Sequence, residues 1–186
     1  MKLAVILLLG LVTTCVAAWT ALGFRDGPLG PIRGGPLVRG DLLHTQTVDW
    51  AEALDDRAVG EIEIQLVSSG SSRTTGAFER DGELYVPCDL GFLWRRVPSA
   101  TLRGILRLIW VFKSWHEEAL ADGRVIVRVA GHRYERYAER VTDPDLLGQL
   151  RDHVSSAAGE YFGGLLPLET DPDDIWFFRL EARPPE

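Results

Sequence analysis

Within residues 59–88 and 124–141 the chain falls into strand-like runs interrupted by short turn signals. From Val59 to Val67, Ile62, Ile64 and Leu66 fall on one face and Glu61, Glu63 and Gln65 on the other, the pattern of a half-buried strand. Ser68 to Ser72 form a polar turn around Gly70. Arg73 to Arg80 and Glu83 to Cys88 then flank Asp81-Gly82, the dipeptide favoured in tight hairpins. Arg124 to Val129 and His132 to Val141, joined by Ala130-Gly131, predict a second hairpin. A sixth strand is expected over Asp174 to Ala182, where Ile175-Trp176-Phe177-Phe178-Arg179-Leu180 suits a strand better than a helix.

Helices are expected in the gaps. Ser114 with Glu117 matches a capping box and predicts a short helix through Ala121, stopping before Gly123. Asp143-Pro144 supplies an N-cap followed by proline at the first helical position. Leu146, Leu147, Leu150, Val154, Ala157, Ala158 and Tyr161 follow at helical spacing, until Gly163-Gly164 ends the run. Six antiparallel strands with helices on the outside predict a mainly β (α+β) domain, a small closed or partly open barrel.

The barrel occupies residues 47–186 in this reading. Before it, Leu3 to Phe24 carry no charge. At about 1.5 Å per residue this stretch is roughly 33 Å long as a helix, enough to cross a bilayer. Residues 1–24 are therefore expected to be a hydrophobic helix anchoring the chain in a membrane, with the domain outside the cytoplasm. The alternative is a signal segment cleaved near Val16-Ala17-Ala18, which would export the domain. Residues 25–46 hold Gly27-Pro28, Gly30-Pro31 and Gly34-Gly35-Pro36, a density that breaks helix and strand alike. This linker either lets the domain stand off or lies along it as an extended arm.

Charge narrows the partners. A net charge of -7 disfavours nucleic acid, whose phosphates need a surplus of Lys and Arg. Yet residues 95–113 contain Arg95, Arg96, Arg103, Arg107 and Lys113 and no acidic residue. On a helix Ile105 and Ile109 share an apolar side with Leu102, Leu106 and Phe112, Arg103 and Arg107 lie one turn apart elsewhere, and Trp110 sits near the border. A helix lying in a lipid headgroup layer has this form. A core helix whose arginines face water or pair with carboxylates explains the same pattern.

Catalytic motifs are sparse. Cys15 lies in the hydrophobic segment and Cys88 in the domain, so no disulfide or cysteine metal site is expected and Cys88 reads as a small core residue. His44, His116, His132 and His153 are scattered, and no metal is expected. There is no GxSxG elbow, Walker loop or strand-linked GxGxxG. Asp171, Asp173 and Asp174 lack the glycine and spaced glutamate of a calcium loop. Ser69-Gly70-Ser71-Ser72-Arg73-Thr74-Thr75 is different: hydroxyls and backbone donors beside an arginine can hold a phosphate, although most such turns are only turns.

That turn, together with Asp81-Gly82-Glu83-Leu84-Tyr85-Val86-Pro87, Lys113-Ser114-Trp115, Asp122-Gly123-Arg124-Val125, Gly131-His132-Arg133-Tyr134 and Ala138-Glu139-Arg140-Val141, resembles the pyridoxamine 5'-phosphate oxidase-like, FMN-binding split β-barrel superfamily, including its deazaflavin-dependent nitroreductase branch. The resemblance covers roughly residues 59–145 and implies a six-stranded split β-barrel binding FMN or a deazaflavin, commonly between two subunits, hence a homodimer. It places Arg73 and Thr74 on the cofactor phosphate, with Lys113 and Trp115 near the site. Lys113-Ser114-Trp115-His116-Glu117-Glu118 lacks the proline and asparagine usual in the deazaflavin branch, and Trp176-Phe177-Phe178-Arg179 lacks the oxidase branch's substrate-binding pattern. The expectation is a membrane-anchored flavin-binding barrel acting as an oxidoreductase on a small molecule. The alternative is a non-catalytic binding or structural module at a membrane on a cofactor-less barrel.

Overall fold

The computed structural model describes residues 25–29, 33–44, 47–90, 115–161 and 175–183, with a few isolated positions before residue 25. The anchor read in residues 1–24 and the basic stretch at 95–113, including Arg103, Ile105, Arg107, Ile109 and Trp110, lie outside the described residues. Among the described residues no helix is long and apolar enough to cross a membrane.

All six expected strands form: β2 (Gly60–Leu66), β3 (Ser72–Arg80), β4 (Glu83–Asp89), β5 (Arg124–Val129), β6 (His132–Arg140) and β7 (Ile175–Ala182). Each pairs antiparallel with its neighbours in the cycle β2-β3-β4-β7-β6-β5 and back to β2. The sheet thus closes on itself and satisfies both edges of its strands internally. A two-residue strand, β1 (Leu42–Leu43), absent from the sequence reading, lies parallel to β6 at Arg133 and Tyr134. β6 therefore shares one edge between β1 and, further along, β7.

Both hairpin dipeptides adopt the backbone that right-handed strand twist demands. Asp81 and Gly82 have φ of 53° and 82°, Ala130 and Gly131 φ of 49° and 79°, positive at both central residues as in type I′ turns.

Alternation sorts side chains into two layers. Ile62, Ile64, Leu66, Val86, Val127 and Phe178 fill the barrel interior. Their strand neighbours Phe78, Tyr85 and Phe177 point outward, where Leu150, Val154 and Ala157 of α3 (Pro144–Tyr161) cover them. The start of α3 follows the sequence: Asp143 Oδ1 accepts the Leu146 N–H at 2.7 Å. α2 (Trp115–Ala121) buries Trp115 and Ala119 in the interior cluster. α1 (Trp50–Ala53), also absent from the sequence reading, is capped by Asp49 and buries Trp50 in that cluster near Tyr134.

The Gly/Pro-rich segment lies along the barrel as an arm. Asp26 meets Arg128 of β5, which also binds Glu63 of β2. The Leu37 N–H donates to Gln65 Oε1 at 2.7 Å, and Arg133 Nη1 donates to the Leu37 carbonyl at 2.8 Å. Gly34 bridges Ser72 at the start of β3. Gln65, on the polar face of β2, is consequently only 7% exposed, and Leu37 2%.

Candidate functional site

Arg73 stands opposite Ile64 in the β2–β3 ladder, and directly opposed residues share a face, so its side chain projects with the barrel's interior set. Its guanidinium lies 5.8 Å from the centre of the Trp115 ring. Nε is buried and finds no hydrogen-bond partner among the described residues. Burial lowers the Arg73 pKa to about 10, with Glu118 and Cys88 opposing the shift and Arg33 adding to it. At neutral pH the group remains a cation, held where water solvates it poorly.

Thr74 stands opposite Glu63 and takes the outer face. The structure brings together Arg73 and Trp115 and separates Thr74 from them; Thr75, opposite Ile62, shares the face of Arg73. Lys113 lies outside the described residues. The turn's hydroxyls serve the fold: Ser69 Oγ and Ser71 Oγ are 2.9 Å apart, and Ser72 Oγ donates to the Gly35 carbonyl at 2.6 Å.

Further residues that the sequence reading did not single out gather around α2. Trp115 packs on Phe178 with ring centres 5.1 Å apart. The His116 ring meets Trp176 at 5.2 Å, edge to face, and the Arg140 guanidinium lies 3.8 Å from the Trp176 ring centre. Toward α1, Arg136 is only 2% exposed and stacks over Trp50 at 5.1 Å and Tyr134 at 5.5 Å. Arginine stacked on an aromatic face keeps its charge while shedding water. Arg136 shares the inward face of Tyr134 and Ala138 on β6, whereas Arg140 is exposed, and nothing in the sequence marked which tryptophans they would meet.

A cleft of about 430 Å³ beside α1 is lined by Thr47, Val48, Asp49, Trp50, Ala51, Glu79 and Gly82. Its carboxylates hold backbone: Asp49 Oδ1 accepts the Glu52 N–H at 3.0 Å and Glu79 Oε1 the Gly82 N–H at 2.6 Å. His153 is bound to the Ala58 carbonyl at 2.9 Å, and His44 is 3.2 Å from Glu135. Among the described residues no cluster of His, Cys, Asp or Glu could hold a metal.

Against a flavin, this set fits in part. A half-buried guanidinium whose Nε has no hydrogen-bond partner among the described residues suits a phosphate. Trp115, 4% exposed and packed between Arg73 and Phe178, has no free face on which an isoalloxazine could stack.

No family model matches the chain, and no curated protein matches it in sequence. Solved structures do. A Listeria innocua protein named as a pyridoxamine 5'-phosphate oxidase is similar over 73% of this chain and 91% of its own, with a TM-score of 0.45 and 12% identity. A FAD-binding protein from Mesorhizobium loti is similar over 72% of this chain and 87% of its own, with a TM-score of 0.42 and 16% identity. The barrel described above rests on its own strand pairing.

Proposed function

We propose that this protein is a flavin-binding split-barrel protein, held at a membrane by its N-terminal segment, in which Arg73 receives the phosphate of FMN or a deazaflavin. The observation that carries the reading is Arg73 itself. A half-buried cation costs free energy unless an anion meets it; the charge of Glu118 reaches Arg73, but Nε has no hydrogen-bond partner among the described residues. A phosphate at Arg73 would accept from Nε and the terminal nitrogens together, the arrangement in which guanidinium binds most strongly. The motif resemblance around Ser69 to Thr75 points to the same residue.

When bound, a flavin supplies hydride chemistry, and with it oxidation or reduction of a small molecule. The chain's own contribution is positional. Arg73 fixes the anionic end, while Trp115 and Phe178 close the barrel beneath it and keep water from that side. Thr74 lies on the opposite face of β3.

The burial of Trp115 favours a second reading, a barrel that carries no cofactor and binds or supports a partner at the membrane. In that reading the Arg–Trp stacks at Arg73, Arg136 and Arg140 are cross-braces of the fold. An absorbance spectrum separates the two: purified full-length protein in detergent is incubated with FMN and freed of unbound ligand. A retained flavin band supports the cofactor reading, and a clean protein spectrum with both FMN and a deazaflavin supports the second.

A further inference from the structure

The arm carries a cation to Arg73. Gly34 and Ser72 exchange both backbone hydrogen bonds, Gly34 N–H to Ser72 O at 2.9 Å and Ser72 N–H to Gly34 O at 3.1 Å. The bridge is isolated, and one residue beyond it the antiparallel course of the arm brings Arg33 beside Arg73. The charge of Arg33 is felt at Arg73, where it opposes the protonated form. Arg73 Nε finds no hydrogen-bond partner among the described residues, and Arg33 is exposed, its guanidinium open to a ligand from solvent.

Like charges set opposite each other are unfavourable, and a chain with net charge -7 has carboxylates to spare for separating them. The arm instead holds the pair in place. A Cβ on Gly34 would collide with the Gly27 carbonyl and sit 2.8 Å from the Pro28 Cα, so only glycine permits this crossing. Ser72 Oγ ties the next residue, Gly35, through its carbonyl. Two neighbouring guanidinium forks are what a doubly charged phosphate requires.

We infer that Arg33 and Arg73 together form a phosphate-monoester site that is complete only while the arm is docked on β3. The inference rests on the reading that Arg73 holds an anion, and adds the second ligand and its coupling to the arm. Phosphate that binds only the docked state stabilises docking in turn.

The test is thermal unfolding of the full-length protein in detergent across a series of inorganic phosphate concentrations, repeated with FMN and with riboflavin, which lacks the phosphate. Phosphate is expected to raise the unfolding midpoint, and Arg33→Gln to raise the half-saturating concentration about tenfold or more. Without phosphate, Arg33→Gln should unfold no earlier than the parent, because a repulsion has been removed. Arg33→Glu should abolish the phosphate effect while raising the phosphate-free midpoint. Gly34→Ala, with both arginines intact, should also lose the response.

An unchanged phosphate response in Arg33→Gln and Arg33→Glu would overturn the inference, as would no response in the parent. If FMN binds the parent and Arg33→Gln equally but not Arg73→Gln, the flavin reading stands and the role of Arg33 falls. If phosphate protects through both arginines and FMN protects no better than phosphate, the two-arginine site stands and the flavin reading falls.

Discussion

Arg128 Nη1 lies 3.0 Å from both carboxylate oxygens of Asp26, joining the first turn of the arm to a barrel strand 102 positions further along the chain. The same guanidinium binds Glu63 through Nε, so one side chain clamps the arm, β5 and β2. Asp26 also accepts from the backbone N–H groups of Val38, at 2.6 Å, and Arg39.

Cutting this clamp should free the arm before it unfolds the barrel. Arg128→Met leaves two carboxylates facing each other without their cation and is expected to cost about 1 to 3 kcal/mol. Limited proteolysis within residues 25–44 should become faster, with cleavage inside the barrel changing less.

Acid should release the arm as well. Burial would raise the Asp26 pKa, but hydrogen bonds from Val38, Arg39 and Arg128 outweigh it and hold the carboxyl below its ordinary value. Asp122 is lowered to about 2 by the side-chain and backbone hydrogen bonds of Arg124. A carboxyl depressed in the folded state contributes stability in full above its unfolded pKa, about 3.9, and loses it as pH falls through the folded value. The unfolding midpoint, followed by tryptophan fluorescence, should therefore vary little on account of these two groups between pH 5 and 7 and fall from about pH 4 toward 2. Asp26→Asn should make that acid limb shallower.

Adjacent residues of β7 should fail in different ways. Phe178 packs inside the barrel against Trp115, whereas Phe177 lies outside, edge-on to Phe78 in the layer under α3. Each truncation to Ala is expected to cost about 3 to 5 kcal/mol. Amide exchange distinguishes them: Phe177→Ala should expose the amides of α3 ahead of the barrel, and Phe178→Ala should loosen the strands themselves.

These two layers show how far the sequence could be read. The strands of the barrel were legible because Ile62, Ile64 and Leu66 alternate with polar residues, and because Asp81-Gly82 and Ala130-Gly131 fix where each hairpin turns. For the arm the sequence left two courses open, standing off or lying along the domain, because glycine and proline report that regular structure stops, not where the chain then lies. Gln65 looked like a solvent-facing strand residue, and only the Leu37 N–H bonded to it explains its burial. α1 had a visible signal in Asp49, whose carboxylate accepts the Glu52 N–H, but spans only four residues. The separation of Arg73 from Thr74 follows from strand alternation alone, and a motif quoted as consecutive letters hides it.

The basic stretch gives an independent expectation at the membrane. If Ile105, Ile109 and Trp110 enter a headgroup layer with Arg103 and Arg107 beside anionic lipid, replacing both arginines by glutamate should weaken binding to anionic vesicles about tenfold or more at low salt. The comparison is made between parent and variant proteins lacking residues 1–24, and equal vesicle binding would remove the interfacial helix.

The proposed flavin site is tested most directly by titrating FMN into full-length protein and into Arg73→Ala, following quenching of flavin fluorescence. Saturable quenching in the parent, weakened about tenfold or more in Arg73→Ala while the unfolding midpoint is retained, is the expected outcome. Absence of quenching in the parent, or equal affinity in both proteins, would contradict a cofactor held by Arg73.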